Sequence, residues 1–340
     1  MPKFALIVLG LLLSLLAKGQ YRPQHSLYLL NNYLINPAIT GIESYGDLKA
    51  GYRSQWTGLK GAPITYYLSY HMPLQKSSLR TYKPNPTKRS GKVRESVEVM
   101  QSNTQLKRHH GVGGSVMADR TGSFQRTEVN ASYAYHLPLT RQITASLGAS
   151  LGLIQYGLDY NKIILANPND PFLANGLERQ YQTSLNLGFW LYSSKFYFGG
   201  SAAQLLKEDV LYVDAENGNV RNAGAANFFV TGGYRFKTDL MWDFIPSILV
   251  KRLEDSPVTF DAAIKTIYNR RVWAGGVYRN NEAIVVFAGG AINSNLDFTY
   301  SFDYGVSRSQ LDRYSSGSHE VVLSVRLFNH HKVLCPDQLW

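Results

Sequence analysis

The sequence predicts a transmembrane antiparallel β-barrel of about 14 strands, and three observations lead to this fold class. Residues 296–304 alternate strictly between apolar or aromatic and polar side chains, which is the two-residue period of a strand between lipid and water. The same alternation returns along the chain, for example over residues 181–192. The chain also contains 23 tyrosines, which suits the two aromatic girdles of a barrel at the membrane interfaces. A soluble β-sandwich is the alternative fold.

The chain begins with a segment that has the pattern of a signal peptide. A positively charged start and an apolar run over residues 4–16 precede Ala17-Lys18-Gly19, which forms a cleavage site. The alternative is a membrane anchor, but a helix needs roughly 20 apolar residues to span a bilayer. We therefore expect residues 1–19 to be a signal peptide and the mature protein to be exported.

Fourteen segments with strand character follow the signal peptide. No later stretch reaches the roughly 18 consecutive apolar residues of a transmembrane helix, which argues against an inner-membrane protein. The predicted strands lie near residues 45–54, 63–73, 109–118, 127–137, 143–155, 181–192, 195–204, 227–237, 243–252, 258–267, 270–279, 283–291, 295–305 and 319–328. An even number of strands is what a closed bacterial barrel requires.

The connections between these segments alternate in length. The connections after the fourth, sixth, eighth, tenth and twelfth segments are tight, and the long connections have the other parity. Outer-membrane barrels have short periplasmic turns and longer extracellular loops, so the protein is expected in the outer membrane of a Gram-negative bacterium with both termini in the periplasm. Residues 20–44 then form an N-terminal lead-in or a plug in the lumen, residues 45–328 the barrel, and residues 329–340 a periplasmic tail.

One connection breaks this pattern, because residues 74–108 form a long insertion on the side of the short turns. It is the most basic part of a chain whose formal net charge is +11. Clustered like charges steer association, so the insertion is a candidate contact for an acidic periplasmic partner. The alternative is a disordered insertion of low hydrophobicity. The residues proposed for the contact are Lys88, Arg89, Lys92 and Arg94.

The sequence offers little that resembles a catalytic or metal site. Ser318, His319 and Glu320 are adjacent, but neighbouring residues of a strand face opposite sides, so they cannot form a triad. The pairs His109-His110 and His330-His331 lack the cysteines or spaced carboxylates that would complete a metal site. We therefore expect no enzymatic activity, no cofactor and no metal, and export makes nucleic acid an implausible partner.

Several motifs are specific enough to indicate a family. They are Asn36-Pro37-Ala38 with Thr40-Gly41, the stretch from Tyr52 to Pro63 that reads YRSQWTGLKGAP, Gly111-Val112-Gly113-Gly114, and the stretch from Ser132 to Leu139 that reads SYAYHLPL. With these motifs the chain resembles, from about Gln20 to its last residue, the type IX secretion system outer-membrane proteins called PorP/SprF. The basic insertion departs from the family, whose members usually connect the second and third strands more briefly.

This resemblance implies a function in protein export. PorP/SprF-like proteins are associated with the type IX machinery of Bacteroidetes-type bacteria, including gliding motility, and with secretion or cell-surface anchoring of proteins that carry a type B C-terminal sorting domain. The implied partners are other type IX secretion components, such an exported protein and outer-membrane lipid, and a periplasmic peptidoglycan-associated protein is a further candidate. The alternative function is a diffusion pore or a transporter of hydrophobic solutes, since 14 strands enclose a lumen that is either water-filled or plugged.

The first connection is the main candidate for partner binding. Its glycines permit positive φ and its proline fixes the entry of the second strand, so a rigid rim could present Trp56 and Arg53 to a partner. The alternative is a girdle tryptophan with an arginine packed in the lumen. Asp119 and Arg120, at the outer end of the third strand, either pair or cap a turn or contact a ligand. The full candidate set is Arg53, Gln55, Trp56, Gly58, Gly61, Pro63, Asp119 and Arg120.

Overall fold

Fourteen antiparallel strands form a closed barrel in the computed structural model of the protein. The structure describes residues 31–74, 108–159, 179–206, 211–213, 220–222, 226–238, 241–253, 257–306 and 315–329. The proposed signal peptide, most of the basic insertion and the tail beyond residue 329 therefore lie outside the described residues. The described part of the chain contains no helix that is long and apolar enough to cross a membrane.

Two short 3₁₀-helices, Asn32–Leu34 and Pro37–Ile39, precede the first strand. The strands are β1 (Gly46–Ser54), β2 (Ile64–Pro73), β3 (His109–Thr121), β4 (Phe124–Pro138), β5 (Thr144–Leu158), β6 (Arg179–Tyr192), β7 (Phe196–Ala203), β8 (Leu211–Val213), β9 (Val220–Asn222), β10 (Asn227–Tyr234), β11 (Phe236–Lys237), β12 (Trp242–Arg252), β13 (Thr259–Tyr268), β14 (Val272–Arg279), β15 (Ala283–Ala291), β16 (Leu296–Gly305) and β17 (Ser318–Leu327). The pair β8–β9 is a separate hairpin. β10 and β11 form one barrel strand interrupted at Arg235.

The barrel closes through the pairing of its first and last strands. β1 pairs with β17 along its whole length, with Gly46 opposite Leu327 and Ser54 opposite His319. Every other barrel strand pairs with its sequence neighbours, and β10 bridges from β7 to β12. We call the end of the barrel where β1 starts and β17 ends the near end, and the opposite end the far end.

The alternation of side chains follows the barrel wall as the sequence predicts. In β16, Asp297 and Asp303 are buried in the lumen, whereas Phe298 and Tyr304 are exposed on the outer face. An apolar outer face and a polar inner face are the arrangement of a barrel in lipid. The predicted fold class and the 14 strands are therefore confirmed.

The boundaries differ from the prediction mainly at the far end of β3 and β4. These strands are longer than predicted because only Gly122 and Ser123 connect them, and Gly122 has a positive φ of 60°. Glycine adopts this conformation without a Cβ clash, so the hairpin turns within two residues. Short turns therefore occur at the far end as well as long connections, here and at residues 280–282 between β14 and β15.

Candidate functional site

Residues 31–44, which we call the internal segment, lie inside the near half of the barrel. Asn32, Asn36 and Thr40 are buried, and Tyr33 and Ile39 belong to the cluster of buried apolar side chains. The second 3₁₀-helix packs against β4, β5 and β6. A buried polar segment needs partners for its backbone and side chains, and the barrel wall provides them.

Asn36 fixes the local structure of the segment and ties it to the wall. Its side-chain oxygen accepts a hydrogen bond from the backbone N–H of Ala38 at 2.9 Å, which caps the helix that Pro37 begins. Its amide nitrogen donates to the carbonyls of Phe189 at 3.0 Å and Gly200 at 3.1 Å, which are paired residues of β6 and β7. A single side chain therefore joins the helix to two strands.

Three histidines of β2, β3 and β4 hold the backbone of Thr40 and Gly41. His136 Nε2 lies 2.9 Å from the Thr40 carbonyl and His109 Nε2 lies 3.1 Å from the Gly41 carbonyl. The backbone N–H of Gly41 donates to His71 Nδ1 at 3.2 Å. Since a carbonyl only accepts, His109 and His136 donate through Nε2, whereas His71 accepts through Nδ1. The described residues contain no group of three or more His, Cys, Asp or Glu side chains that could hold a metal ion.

Glycines of the wall make room for the internal segment. A Cβ added to Gly111 of β3 would overlap the Thr40 carbonyl, and one added to Gly148 of β5 would lie 2.5 Å from Ala38 Cα. A Cβ on Gly113 would lie 2.9 Å from the Tyr33 hydroxyl. Glycine inside a strand is typical of such close approaches between backbones. The wall thus has a notch that matches the segment in shape as well as in hydrogen bonding.

A cavity of about 20 Å³, large enough for about one water molecule, is lined by Tyr33 and by polar side chains such as Ser115 and Asn130. The Tyr33 hydroxyl hydrogen-bonds Ser132 at 2.7 Å. Burial raises the pKa of Tyr33 to about 12, although the bond to Ser132 acts in the opposite direction.

An ion network fills the far half of the lumen on the side of β12–β17. Arg53 lies 2.9 Å from Asp303 and 3.2 Å from Glu320. Arg279 continues the network 4.0 Å from Asp303 and 3.6 Å from Asp261, and Lys251 pairs with Asp261 at 3.0 Å. All six side chains are buried. Buried charges are tolerated only when they are paired, so these residues cross-link strands around the barrel.

Residues 55–63 connect β1 to β2 as an ordered loop, which we call the far rim. The loop closes on itself, because Gln55 N–H donates to the Pro63 carbonyl at 2.9 Å. It also bonds its neighbours through Thr57, which exchanges backbone hydrogen bonds with Ser316 and Gly317 at 2.8–2.9 Å. Trp56, Gly58 and Gly61 have positive φ values of 46°, 99° and 78°. Backbone conformations that are strained, or that only glycine adopts easily, persist where the surrounding contacts hold the backbone in place.

The structure brings some of the candidate partner-binding residues together and separates others. Gly61 accepts a backbone hydrogen bond from Gly122 at 2.9 Å, so the far rim reaches the β3–β4 turn beside Arg120. Trp56 is half-buried on this rim, whereas Arg53 is only 2% exposed and faces the lumen. The sequence left two arrangements open: a rim that presents both Trp56 and Arg53, or a girdle tryptophan with an arginine packed in the lumen. Arg53 is packed in the lumen.

Asp119 at the end of β3 has local partners. It accepts hydrogen bonds from Thr65 Oγ1 at 2.5 Å and from Thr121 Oγ1 at 3.2 Å. Arg120 is exposed. The other basic candidates, Lys88, Arg89, Lys92 and Arg94, lie outside the described residues.

The three adjacent residues Ser318, His319 and Glu320 are directed to different surroundings. Ser318 Oγ accepts from the Trp56 N–H at 3.1 Å, and His319 Nδ1 hydrogen-bonds the Tyr300 hydroxyl at 2.7 Å on the outer face. Glu320 pairs with Arg53 in the lumen. The three side chains thus do not form a catalytic arrangement.

Sequence reasoning did not find the histidine contacts or the partners of Arg53. A signal for the histidine contacts existed, since His71, His109 and His136 share the inward parity of their strands with Gly111 and Gly148. The pairing of Arg53 with Glu320 joins residues 267 positions apart and depends on barrel closure.

Comparisons with known proteins give one family model and several solved structures. The family model described as type IX secretion system membrane protein PorP/SprF matches residues 17–325. Among solved structures, the CymD monoaromatic hydrocarbon channel is 10% identical with a TM-score of 0.49, over 88% of this chain and 93% of that chain. The Ralstonia pickettii toluene transporter TbuX is 10% identical with a TM-score of 0.45, over 86% and 92%. The Acinetobacter baumannii outer membrane protein Omp33 is 9% identical with a TM-score of 0.41, over 85% and 100%. No curated protein matches the sequence.

Proposed function

Because the chain belongs to the PorP/SprF family of type IX secretion system membrane proteins, we propose that it assists the secretion or surface anchoring of exported proteins with a type B C-terminal sorting domain. The observation that carries this proposal is the family match over residues 17–325 of a closed outer-membrane barrel. The role is non-enzymatic, with binding energy supplied by backbone and aromatic contacts.

In this proposal the far end is the cell-surface end and both termini are periplasmic. The lengths of the connections support this orientation. The near-end turns at residues 139–143, 193–195, 269–271 and 292–295 are short, whereas the far-end connections at residues 159–178 and 306–317 are long. Outer-membrane barrels have their short turns in the periplasm.

The far rim is the proposed docking surface for the exported partner. Its backbone hydrogen bonds to Pro63, Gly317 and Gly122 hold it in one conformation before a partner arrives. A rigid loop loses little conformational entropy on binding. Trp56 is its aromatic anchor, because tryptophan is enriched in binding hot spots. Arg53 precedes the rim and forms ion pairs with Asp303 and Glu320 in the lumen. In this proposal it does not itself contact the partner.

A diffusion pore is the competing function, and the groups inside the lumen argue against it. The internal segment occupies the near half and the ion network spans the far half on one side. Solutes would have to pass the hydrogen bonds of the internal segment and the ion pairs of the far half.

The experiment that tests the proposed function is replacement of Trp56 by alanine. We expect the exported partner to appear in the medium while the barrel assembles normally, because a hot-spot tryptophan commonly contributes about 2 kcal/mol or more. The measurement is the partner's distribution between cell surface and medium, by immunoblot. Trp242→Ala, at the near end of the outer wall, is the matched control. Equal retention in W56A and the parent protein would remove Trp56 from the docking surface.

A further inference from the structure

The turns at the near end carry exposed basic side chains around most of the barrel. Arg108 precedes β3, Arg141 lies between β4 and β5, and Lys195 between β6 and β7. Lys237 ends β11, and Arg270 and Arg271 connect β13 to β14. All six side chains are exposed. We call these six residues the basic ring.

The basic ring is not neutralised by acidic neighbours in the described part of the chain. None of its six side chains takes part in an ion pair there, and the acidic side chains of this end, such as Asp47 and Asp297, are buried in the lumen. Asp243 is half-buried and lies 4.0 Å from Arg235. The ring therefore presents positive charge to the solvent without an internal counter-charge.

The charge of the connections differs between the two ends of the barrel. By sequence, the near-end connections between strands contain 13 Lys or Arg and three Asp or Glu. The far-end connections contain six Lys or Arg and 11 Asp or Glu. Nine of the near-end Lys and Arg residues lie in the connection 74–108, and the turns at residues 139–143, 193–195 and 269–271 add four with no Asp or Glu. Such a field attracts an acidic surface and disfavours a basic one.

The ring lies just beyond an aromatic girdle of the outer wall. Trp242 and Tyr268 stand 4.6 Å apart on the outer wall, each 42% exposed, as expected for a girdle at the headgroup level. Arg270 and Arg271 follow Tyr268 by two and three residues, in the turn beyond this girdle. The turn is closed by the Arg271 N–H, which donates to the Tyr268 carbonyl at 3.0 Å.

We infer that the basic ring is a docking surface for an acidic protein at the near end of the barrel. The partner presents clustered Asp and Glu side chains to several turns at once, and it does not need the far rim. Its identification as a periplasmic component of the secretion machinery rests on the proposed function, whereas the binding of an acidic surface does not.

Binding of a defined acidic probe tests this inference. Purified protein in uncharged detergent is titrated with fluorescent poly-L-glutamate at about 150 mM salt, where the screening length is about 8 Å. The ring variant carries Arg141→Gln, Lys195→Gln and Arg271→Gln. The matched control carries Lys60→Gln, Arg120→Gln and Arg252→Gln, which are exposed at the far end and remove the same residue types.

The ring variant is expected to bind the probe about eightfold more weakly, since one exposed ion pair changes an equilibrium about twofold. The control should stay within twofold of the parent protein. Equal losses in both variants would overturn the inference, because the probe would then respond to net charge alone. Unchanged probe binding together with loss of co-purifying phosphatidylglycerol in the ring variant would assign the ring to lipid and would also overturn it. Secretion of the exported partner, compared between the ring variant and the parent protein alone because Lys60 of the control lies on the far rim, tests the link to the machinery separately.

Discussion

Replacing Gly111 by alanine should unseat the internal segment from the barrel wall. The added methyl group would overlap the Thr40 carbonyl, and both sides of the contact are backbone, so a side-chain rotation cannot relieve it. The segment would have to move away from β3. We therefore expect the hydrogen bonds from His136 to Thr40 and between Gly41 and both His109 and His71 to weaken together.

The size of the effect follows from these three hydrogen bonds. Each contributes about 1 kcal/mol, so their loss costs about 3 kcal/mol. This shifts the equilibrium between seated and unseated segment by about 150-fold. The barrel itself should persist, because its strand pairing does not involve the added methyl group. An unseated segment would leave the near half of the lumen accessible to ions and to proteases.

Conductance in planar bilayers and limited proteolysis of the N-terminal residues are the assays. The parent protein should conduct little and resist cleavage between residues 31 and 44, whereas G111A should show stepwise conductance and faster cleavage. Gly276→Ala is the matched control, since a Cβ there meets its nearest neighbour at an ordinary 3.6 Å. If G111A matches the parent protein in both assays while remaining folded, the segment is not what closes the lumen.

Two further predictions concern stability. Arg53→Leu should lower the free energy of unfolding by about 3–5 kcal/mol, because Asp303 and Glu320 would keep buried charges without their arginine, and a shifted denaturation midpoint in detergent measures this. Exposed Lys60→Leu is its control, and a change below 1 kcal/mol for Arg53→Leu would contradict the pairing. Asn36→Ala should cost about 2 kcal/mol, since it removes a helix cap and two bonds to the wall. An unchanged midpoint in N36A would show that the cap contributes nothing to the barrel's stability.

The strands could be predicted because a period of two determines which face each residue occupies. Asp297 and Asp303 were assignable to the lumen from their places in an alternating run, and both are buried there. The far end of β3 was predicted too short, although Gly122-Ser123 is a pair typical of a two-residue hairpin turn. Sequence patterns report local geometry, and local geometry determines where the strands lie and which face each residue occupies.

The candidate site was less predictable because it depends on contacts between distant strands. Arg53 was considered both for the rim and for the lumen, and only the closure of β1 against β17 brings it to Glu320. The place of Asn36 depends on carbonyls of β6 and β7, more than 150 positions away. No periodicity within one segment carries such information.

The most direct test of the central claim is purification of the protein from its native outer membrane in mild detergent, with mass spectrometry of the proteins that accompany it. The proposed function predicts a stoichiometric exported protein retained through its C-terminal sorting domain. A barrel that is recovered alone and conducts ions in a planar bilayer would contradict the proposal and would favour a pore.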